Sequence, residues 1–358
     1  MSKPILVAGL AVVALGAGVG GYTMMSGAPA IPKGGCPALV SVAPFDANFL
    51  AFGDIATIRN SAFKQEMNSI NTFPEGQMPP EYKDFVENTN FHVEKDLDRL
   101  MIAGSIESAV GALVLEGRFD QAKITSYVSK AGKMTHYESG DVYLFPTGMP
   151  TGTAALMFLG PSRVAITFGK SAETQALILA DAAKGAEPSL HEEMCARAER
   201  VSGAPFFMVG DIPKTGMFAA AAASAPADTG ARDILQNMTA WDVAFWNEGD
   251  NLRIALEGEY GDRIEALKAR LAFEKLRETI QKAQATAKAG PGNAAASAAL
   301  DSLSKNFGIS LDGRFVRVST SLSRSDIEAL QHSAAAAAAA PAARPAAPPQ
   351  PRRKSQGN

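Results

Sequence analysis

The chain has 358 residues, 46% apolar and 20% charged, an ordinary globular composition with ample material for a sizeable core. Its 34 basic and 37 acidic side chains leave a net charge of -3, which argues against a nucleic-acid binder, since phosphate contacts need a dense Lys and Arg surface. Two cysteines, Cys36 and Cys195, exclude a disulfide-dense scaffold. A bond between them in an oxidising compartment and two thiols that never meet both fit the sequence.

The first thirty residues differ in kind from the rest. Lys3 is the only charge before Lys33, and Ile5 to Val19 is an almost unbroken apolar run. A charged start, a short apolar stretch and then Ala28-Pro29-Ala30 match a secretory signal with a small-residue cleavage site. Gly20 to Met25 extend the run towards the roughly 20 residues that span a bilayer, so residues 1–30 read equally as an apolar anchor helix. Either way, Lys3 on the short N-terminal side places the body outside the cytoplasm, in the periplasm or cell envelope, anchored in the inner membrane or secreted.

Between about Pro37 and Leu330 the organising feature is an internal repeat. Phe49-Leu50-Ala51-Phe52-Gly53-Asp54-Ile55 recurs as Phe206-Phe207-Met208-Val209-Gly210-Asp211-Ile212. Leu113-Val114-Leu115-Glu116-Gly117 recurs, in the same order along the chain, as Ile254-Ala255-Leu256-Glu257-Gly258. Two matches in register point to duplication.

In the first copy, Phe49 to Asp54 reads as a strand and Ala56 to Ile70 as a helix with Ile58, Phe63 and Met67 near one face. Arg99 to Ile106 and Ala112 to Arg118 form a hairpin, Asp120 caps a helix that turns Ile124, Tyr127 and Val128 inward, and Asp141 to Pro146 supplies a closing strand. Ala154 to Leu159 and Arg163 to Phe168 read as a strand pair, and Ser171 to Ala183 and Leu190 to Val201 as helices. In the second copy, Leu252, Ile254 and Leu256 alternate with Arg253, Ala255 and Glu257, the pattern of a strand wet on one face. Arg263 to Ala272 reads as a helix with Ile264, Leu267 and Leu271 on its inner stripe. The stripe then jumps to Phe273, Leu276 and Ile280, which predicts a break or a second packing partner near Ala272. Gly308 to Leu322 is a hairpin whose Asp312-Gly313 pair suits a type I′ turn.

The expected fold is therefore α+β: two repeated β-α-β-β-α units of ferredoxin-like type with antiparallel sheets, preceded by the N-terminal apolar helix. The expected units span 37–203 and 204–330. Residues 333–358, dominated by Ala and Pro with Arg344, Arg352, Arg353 and Lys354 as the only charges, cannot offset their ordering entropy and read as a disordered basic tail.

The succession Phe49 to Ile55, Ile58-Arg59-Asn60-Ser61, Leu97-Asp98-Arg99-Leu100, Glu116-Gly117-Arg118-Phe119-Asp120 with Lys123-Ile124, and Tyr137 with Gly140 and Val142-Tyr143 resembles a group of uncharacterised exported proteins of planctomycete and acidobacterial type. The resemblance covers the first half of the body and, more loosely, the second. Its motifs are turns, a helix cap and strand cores, and it implies export and a repeat without implying an activity.

Residue patterns that carry chemistry are few. His191 and Cys195 stand four apart on an expected helix beside Glu192 and Glu193, but no second cluster completes a tetrahedral metal set. Gly169-Lys170-Ser171 resembles the end of a phosphate loop, yet Val164 stands where that loop needs a glycine, so Ser171 reads as a helix cap. Carboxylate-only acid and base chemistry needs no motif, and Glu94, Asp96, Asp98, Glu116 and Glu257 are its candidates. Trp241 and Trp246 fall on opposite faces of one strand. No catalytic, cofactor-binding or metal-ligating residue is assigned, and no cofactor is expected.

The resulting expectation is an extracytoplasmic, membrane-associated protein that is not an enzyme and acts structurally or by binding a partner in the envelope. Its expected partners are the membrane, through the N-terminal segment, and an envelope protein. The alternative is a carrier of a lipid or other small ligand in a cleft between the repeats.

Overall fold

The computed structural model describes residues 33–43, 47–61, 80–105, 110–146, 153–169, 171–184, 192–212, 231–287 and 306–326. The expected signal or anchor (1–30), the expected tail (333–358), and Phe63, Met67 and His191 lie outside them. Among the described residues no helix is long and apolar enough to cross a membrane.

The protein is a mixed α+β fold built on one antiparallel sheet. Its described strands are β1 (Phe49–Asp54), β2 (Leu97–Ser105), β3 (Val110–Gly117), β4 (Lys133–Tyr137), β5 (Gly140–Pro146), β6 (Thr153–Gly160), β7 (Arg163–Phe168), β8 (Phe206–Asp211), β9 (Met238–Glu248), β10 (Asn251–Tyr260), β11 (Gly308–Asp312) and β12 (Phe315–Ser323). Their spatial order is β11-β12-β10-β9-β8-β1-β2-β3-β7-β6-β5-β4.

This order corrects two expectations. The sheet is one, not two, because β1 and β8 pair with each other across the middle. The unit is also not ferredoxin-like: β1 lies beside β2 and β2 beside β3, all antiparallel, whereas a split β-α-β unit interposes a strand between its first two. The expected closing strand, β5, does not return to β1. It pairs with β4 and β6 near the far edge.

The order reads the same outward from the β1/β8 seam for five strands on each side: β1 and β8, β2 and β9, β3 and β10, β7 and β12, β6 and β11. The seam itself is two-fold. Ala51 pairs with Met208, its own counterpart in the repeated segment; Leu50 pairs with Val209 where Phe52 pairs with Phe207, and Phe49 with Gly210 where Gly53 pairs with Phe206. Both ends close alike, with the Asp54 amide donating to the Pro205 carbonyl at 2.7 Å and the Asp211 amide to Asn48 at 2.9 Å.

The second match slips against this frame. Gly117 faces Leu97 at the end of β3, whereas Gly258 faces Trp241 two residues inside β10. The mirror of Glu116 is therefore Glu259 and not Glu257. A slip of two preserves the face of every side chain, so the sequence pattern could not register it.

Helices cover both sheet faces. On one face lie a short 3-10 helix (Val40–Val42), α5 (Ala172–Ala183) and α6 (Glu192–Val201), over a core of Leu50, Phe52, Met101, Val114, Leu179, Met194, Ala198, Phe207 and Trp246. On the other, α4 (Gln121–Ala131) covers Tyr143, Leu156 and Val164, and α8 (Arg263–Ala287) covers Tyr260, Val316 and Val318. Shorter helices α1 (Ile55–Arg59), α2 (Pro80–Thr89), α3 (Val93–Asp96) and α7 (Ala231–Asn237) fill the connections. Asp120 caps α4 by accepting from the Lys123 amide at 3.1 Å. Ser171 stands at the N-cap of α5 but makes no capping bond with its side chain.

Three local expectations change. Helix α8 runs through Ala272 without a break, burying Ala266, Ala269, Ala272 and Phe273, while Ile264, Leu267 and Leu271 are 66, 46 and 56% exposed. The stripe expected to face inward faces out, because small alanines let the helix approach the sheet closely. The last hairpin turns at Gly313-Arg314, closed by Asp312 opposite Phe315, and of the turn pair only Gly313 has a positive φ, so the turn is not type I′. In β10 the face carrying Ala255 and Glu257 is the buried one.

Cys36 and Cys195 are bonded, tying the chain ahead of the 3-10 helix to α6 across 159 residues. Closing a loop of that length restricts the unfolded chain by about 5 kcal/mol on chain-entropy grounds. Replacing both cysteines with Ala is expected to lower unfolding free energy by about 3–5 kcal/mol, measured by urea denaturation. An equal loss should follow reduction of the native protein, and no loss in the variant.

Candidate functional site

The most unusual chemistry lies where α6 crosses β8, β9 and β10. Met194, Ala198 and Val201 seat the helix on the apolar core, and this turns Arg197 and Arg200 towards the second half of the sheet. There the pairing places Val209, Asp242, Glu257 and Arg317 in one cross-strand row, with Asp211, Ala240, Glu259 and Phe315 in the next row on the same face.

The charges interlock. Arg200 donates through Nη2 to Asp242 Oδ2 at 2.7 Å and through Nε at 3.2 Å, and its Nε lies 3.6 Å from Glu257 Oε1. Arg317 donates to Glu257 Oε2 from Nη2 at 2.5 Å and from Nε at 3.0 Å. Arg197 donates to Asp211 and approaches Glu259 Oε2 at 3.6 Å, while Arg314 Nη2 is 2.6 Å from Glu259 Oε1. The Arg200 guanidinium also lies 4.7 Å from the Phe315 ring centre, a cation–π distance. Four arginines thus face four carboxylates, and three of those acids, Asp242, Glu257 and Glu259, are 1, 5 and 7% exposed.

The mirror positions of the Asp242, Glu257 and Arg317 row carry no charge, whereas Glu259 in the next row mirrors Glu116. Asp242 corresponds to Met101, Glu257 to Val114 and Arg317 to Ala165, all fully buried or nearly so. The same row of the sheet is apolar on one side of the seam and ionic on the other. The ionic side requires partners for every charge, since an unpaired buried ion costs several kcal/mol. Asp242 Oδ1 is the exception, buried and with no hydrogen-bond partner.

Asp242 is accordingly perturbed. Burial pushes its carboxyl up from the ordinary range to about 7; the Arg200 guanidinium beside it opposes that rise, and the charge of Glu257 adds to it. On the opposite face, burial also holds the Tyr260 hydroxyl above its usual range, and that oxygen has no hydrogen-bond partner.

The carboxylates singled out in the sequence do not converge. Glu116 accepts from Arg99 Nη1 at 3.0 Å and from Arg163 Nε at 2.8 Å. Asp98 pairs with Arg118 at 3.1 Å and with Arg59 at 3.6 Å, and Asp96 accepts from the His92 amide at 2.9 Å. Glu94 lies 3.6 Å from His92 Nδ1 and accepts a long bond from the Tyr82 hydroxyl. Glu257 belongs to the other half and to the network above. The residues that sequence reasoning missed are Asp242, Glu259, Arg197 and Arg200. An acid flanked by Trp241 and Val243 inside a long apolar strand, with two arginines spaced three apart on an amphipathic helix, was the available signal.

Cys195 is committed to the disulfide and is not a metal ligand. Among the described residues no group of three His, Cys, Asp or Glu side chains is placed to hold a metal ion. A shallow depression of about 550 Å³ lies away from the network, and its described lining, Phe119, Gln121, Phe158, Gly160 and Pro161, includes no titratable side chain.

No protein-family model and no curated protein matches the chain. Among solved structures it is similar to the treponemal protein TP0453: in crystal form III, TM-score 0.45 and 12% identity over 82% of this chain and 97% of that one. In crystal form IV the values are 0.45 and 11% over 85 and 97%.

Two outcomes follow from the network. Because the folded state raises the affinity of Asp242 for its proton, native protein holds that proton between about pH 4 and 7, where the unfolded chain has lost it. Stability therefore falls as pH rises through this window and levels off above it. Melting temperatures from pH 4.5 to 8.5 should show that slope, and Asp242→Asn should flatten it. Arg200→Ala, which leaves the Asp242 charge buried without its partner, is expected to cost about 3–5 kcal/mol at pH 8, and clearly less at pH 5 in urea titrations.

Proposed function

We propose that this is an extracytoplasmic, membrane-associated protein of the cell envelope that works by contact and not by catalysis, its body a fused pair of duplicated meander units. The observation that carries this reading is the pairing of four of its five candidate acids with arginine, Glu94 facing His92 and Tyr82 instead. Glu116 and Glu257 each receive two arginines, and Asp96 and Asp98 share Arg118. A general base must reach a substrate proton, and a carboxylate occupied on both oxygens by guanidinium cannot. Such pairs fix strand register and helix position instead. The Cys36–Cys195 bond supports an oxidising compartment, in keeping with the export element expected over residues 1–30.

A second reading, a carrier of a lipid or small ligand between the repeats, draws on one feature. Ile102 is 44% exposed, beside half-buried Leu100, Leu113 and Leu115, on the sheet face between α4 and α8. Mass spectrometry of protein isolated from membranes separates the two readings: a co-purifying polypeptide supports contact, and a stoichiometric lipid supports the carrier.

The compartment is tested directly by fusion after Leu330. Alkaline phosphatase placed there should be active and β-galactosidase inactive, and the opposite pattern would remove the envelope reading. Glu116→Gln and Glu257→Gln should lower the melting temperature and reduce partner capture only in step with unfolding.

A further inference from the structure

Among the described residues the mirrored sheet is shorter on one side. Beyond β6 the first half continues through β5 and β4, whereas beyond β11 no described strand follows. The register carries the mirror out to these strands. Thr167 and Ser319 face Ala112 and Ala255 respectively, so Ala155, Leu156, Met157 and Phe158 of β6 hold the places of Gly308, Ile309, Ser310 and Leu311 of β11.

What occupies the next position in the first half is therefore a template for the place beyond β11 that no described strand fills. There β5 sets Leu144, Tyr143 and Val142 opposite Ala155, Leu156 and Met157. Tyr143 completes a cluster with Ile124, Leu156 and Val164 under α4. In the second half Ile309 and Val316 stand in the places of Leu156 and Val164, with Phe273 and Leu276 of α8 in the same cluster. No described residue stands where Tyr143 would, and Ile309 is only half-buried where Leu156 is 6% exposed. On the opposite face the template is apolar, with Val142 under α5, but here Ser310 neighbours Arg317.

The backbone of β11 has the matching property. Pairing alternates along an antiparallel ladder, and Asp312 closes the turn opposite Phe315, so the N–H and C=O groups of Ile309 and Leu311 point away from β12. The other free edge, β4, is guarded by exposed Lys133 and by His136, whose side chain is 82% exposed; β11 carries no charge from Gly308 to Leu311.

We propose that the outer edge of β11 is a strand-addition site for an extended segment of a partner polypeptide, lying antiparallel to β11 in the position that β5 takes beside β6. Its residue opposite Ile309 is aromatic or a large aliphatic, reaching under α8, and its residue opposite Ser310 is polar. Main-chain bonds to Ile309 and Leu311 supply the affinity and apolar contact with half-buried Ile309 the selectivity. This deepens the contact reading above, and its test needs neither the compartment nor an assay of turnover, so the two can fail separately.

The probe is a fluorescein-labelled peptide of residues 138–148, the mirror strand, carrying Val142→Thr to meet Ser310, titrated against the whole protein by fluorescence anisotropy. Saturable binding is expected. It should weaken at least about tenfold, the worth of one lost main-chain bond to an aligned strand, with Ile309→Pro in the protein or Tyr143→Lys in the peptide. Deuterium exchange at the Ile309 and Leu311 amides should be fast in the protein alone and slowed by peptide. Where Ile309→Pro fails to fold, the peptide variant and the exchange measurement decide. Absence of saturable binding, binding indifferent to Tyr143→Lys, or amides already protected without peptide would each overturn the proposal.

Discussion

The antiparallel pairing of β1 with β8 is the constraint from which the rest of the molecule follows. It is the one ladder that joins the two halves of the sheet, and both of its strands are interior, each bonded on two sides. Phe52 and Phe207 stack across it at 5.2 Å, and the core face of the sheet is continuous through Leu50 and Val209. A seam that maps onto itself when the two strands are exchanged, Leu50 with Val209 as Phe52 with Phe207, is what a homodimer makes when two copies join edge to edge. Within a single chain such a seam has no concentration dependence, and the two halves are free to differ.

The most consequential divergence is the replacement of the Met101, Val114 and Ala165 row by Asp242, Glu257 and Arg317. Exchanging apolar contacts for buried ions does not add stability, because desolvation offsets most of the Coulombic attraction. What ions add is selectivity of arrangement. An apolar row accepts any helix with an apolar stripe, at several rotations and offsets. A row with two carboxylates and one guanidinium accepts α6 only where Arg200 reaches Asp242 and Glu257 together and Arg197 reaches Asp211. The network therefore holds the helix at one register, and its sensitivity to proton uptake at Asp242 comes from that same burial.

Much of the secondary structure was legible in the sequence. β1 has the span read from Phe49 to Asp54, the Asp120 cap is in place, and Trp241 and Trp246 fall in different cores on opposite faces of β9. The strand order was not legible, because period-two alternation fixes which face a side chain takes and says nothing about which strand lies beside which. The two-residue slip of Glu116 against Glu257 escaped for the same reason. Burial of Glu257 was misread because its partners come from α6 and β12, 57 and 60 residues distant, and a charge without a visible partner is reasonably assigned to solvent. The stripe on α8 failed differently. Ile264, Leu267 and Leu271 have the right spacing and the larger side chains, yet Ala266 and Ala269 permit the closer approach to Tyr260 and Val316, and the tighter packing decided the rotation.

Helix α6 is where these threads meet. Near its start Cys195 is bonded to Cys36, along its middle Met194, Ala198 and Val201 pack on the seam, and Arg197 and Arg200 lock to the charged row. The three attachments differ in chemistry: one is covalent and depends on redox state, one is apolar and non-directional, and one is ionic and directional. Apolar burial alone would leave α6 free to slide, and the ion pairs alone would not hold it against water. The disulfide restricts where α6 can travel even when the ionic register is lost, so the helix is positioned redundantly while its alignment rests on the charges alone. Proton uptake at Asp242 therefore acts on how α6 is aligned against β9 and β10, and leaves to the disulfide and the core whether it stays docked.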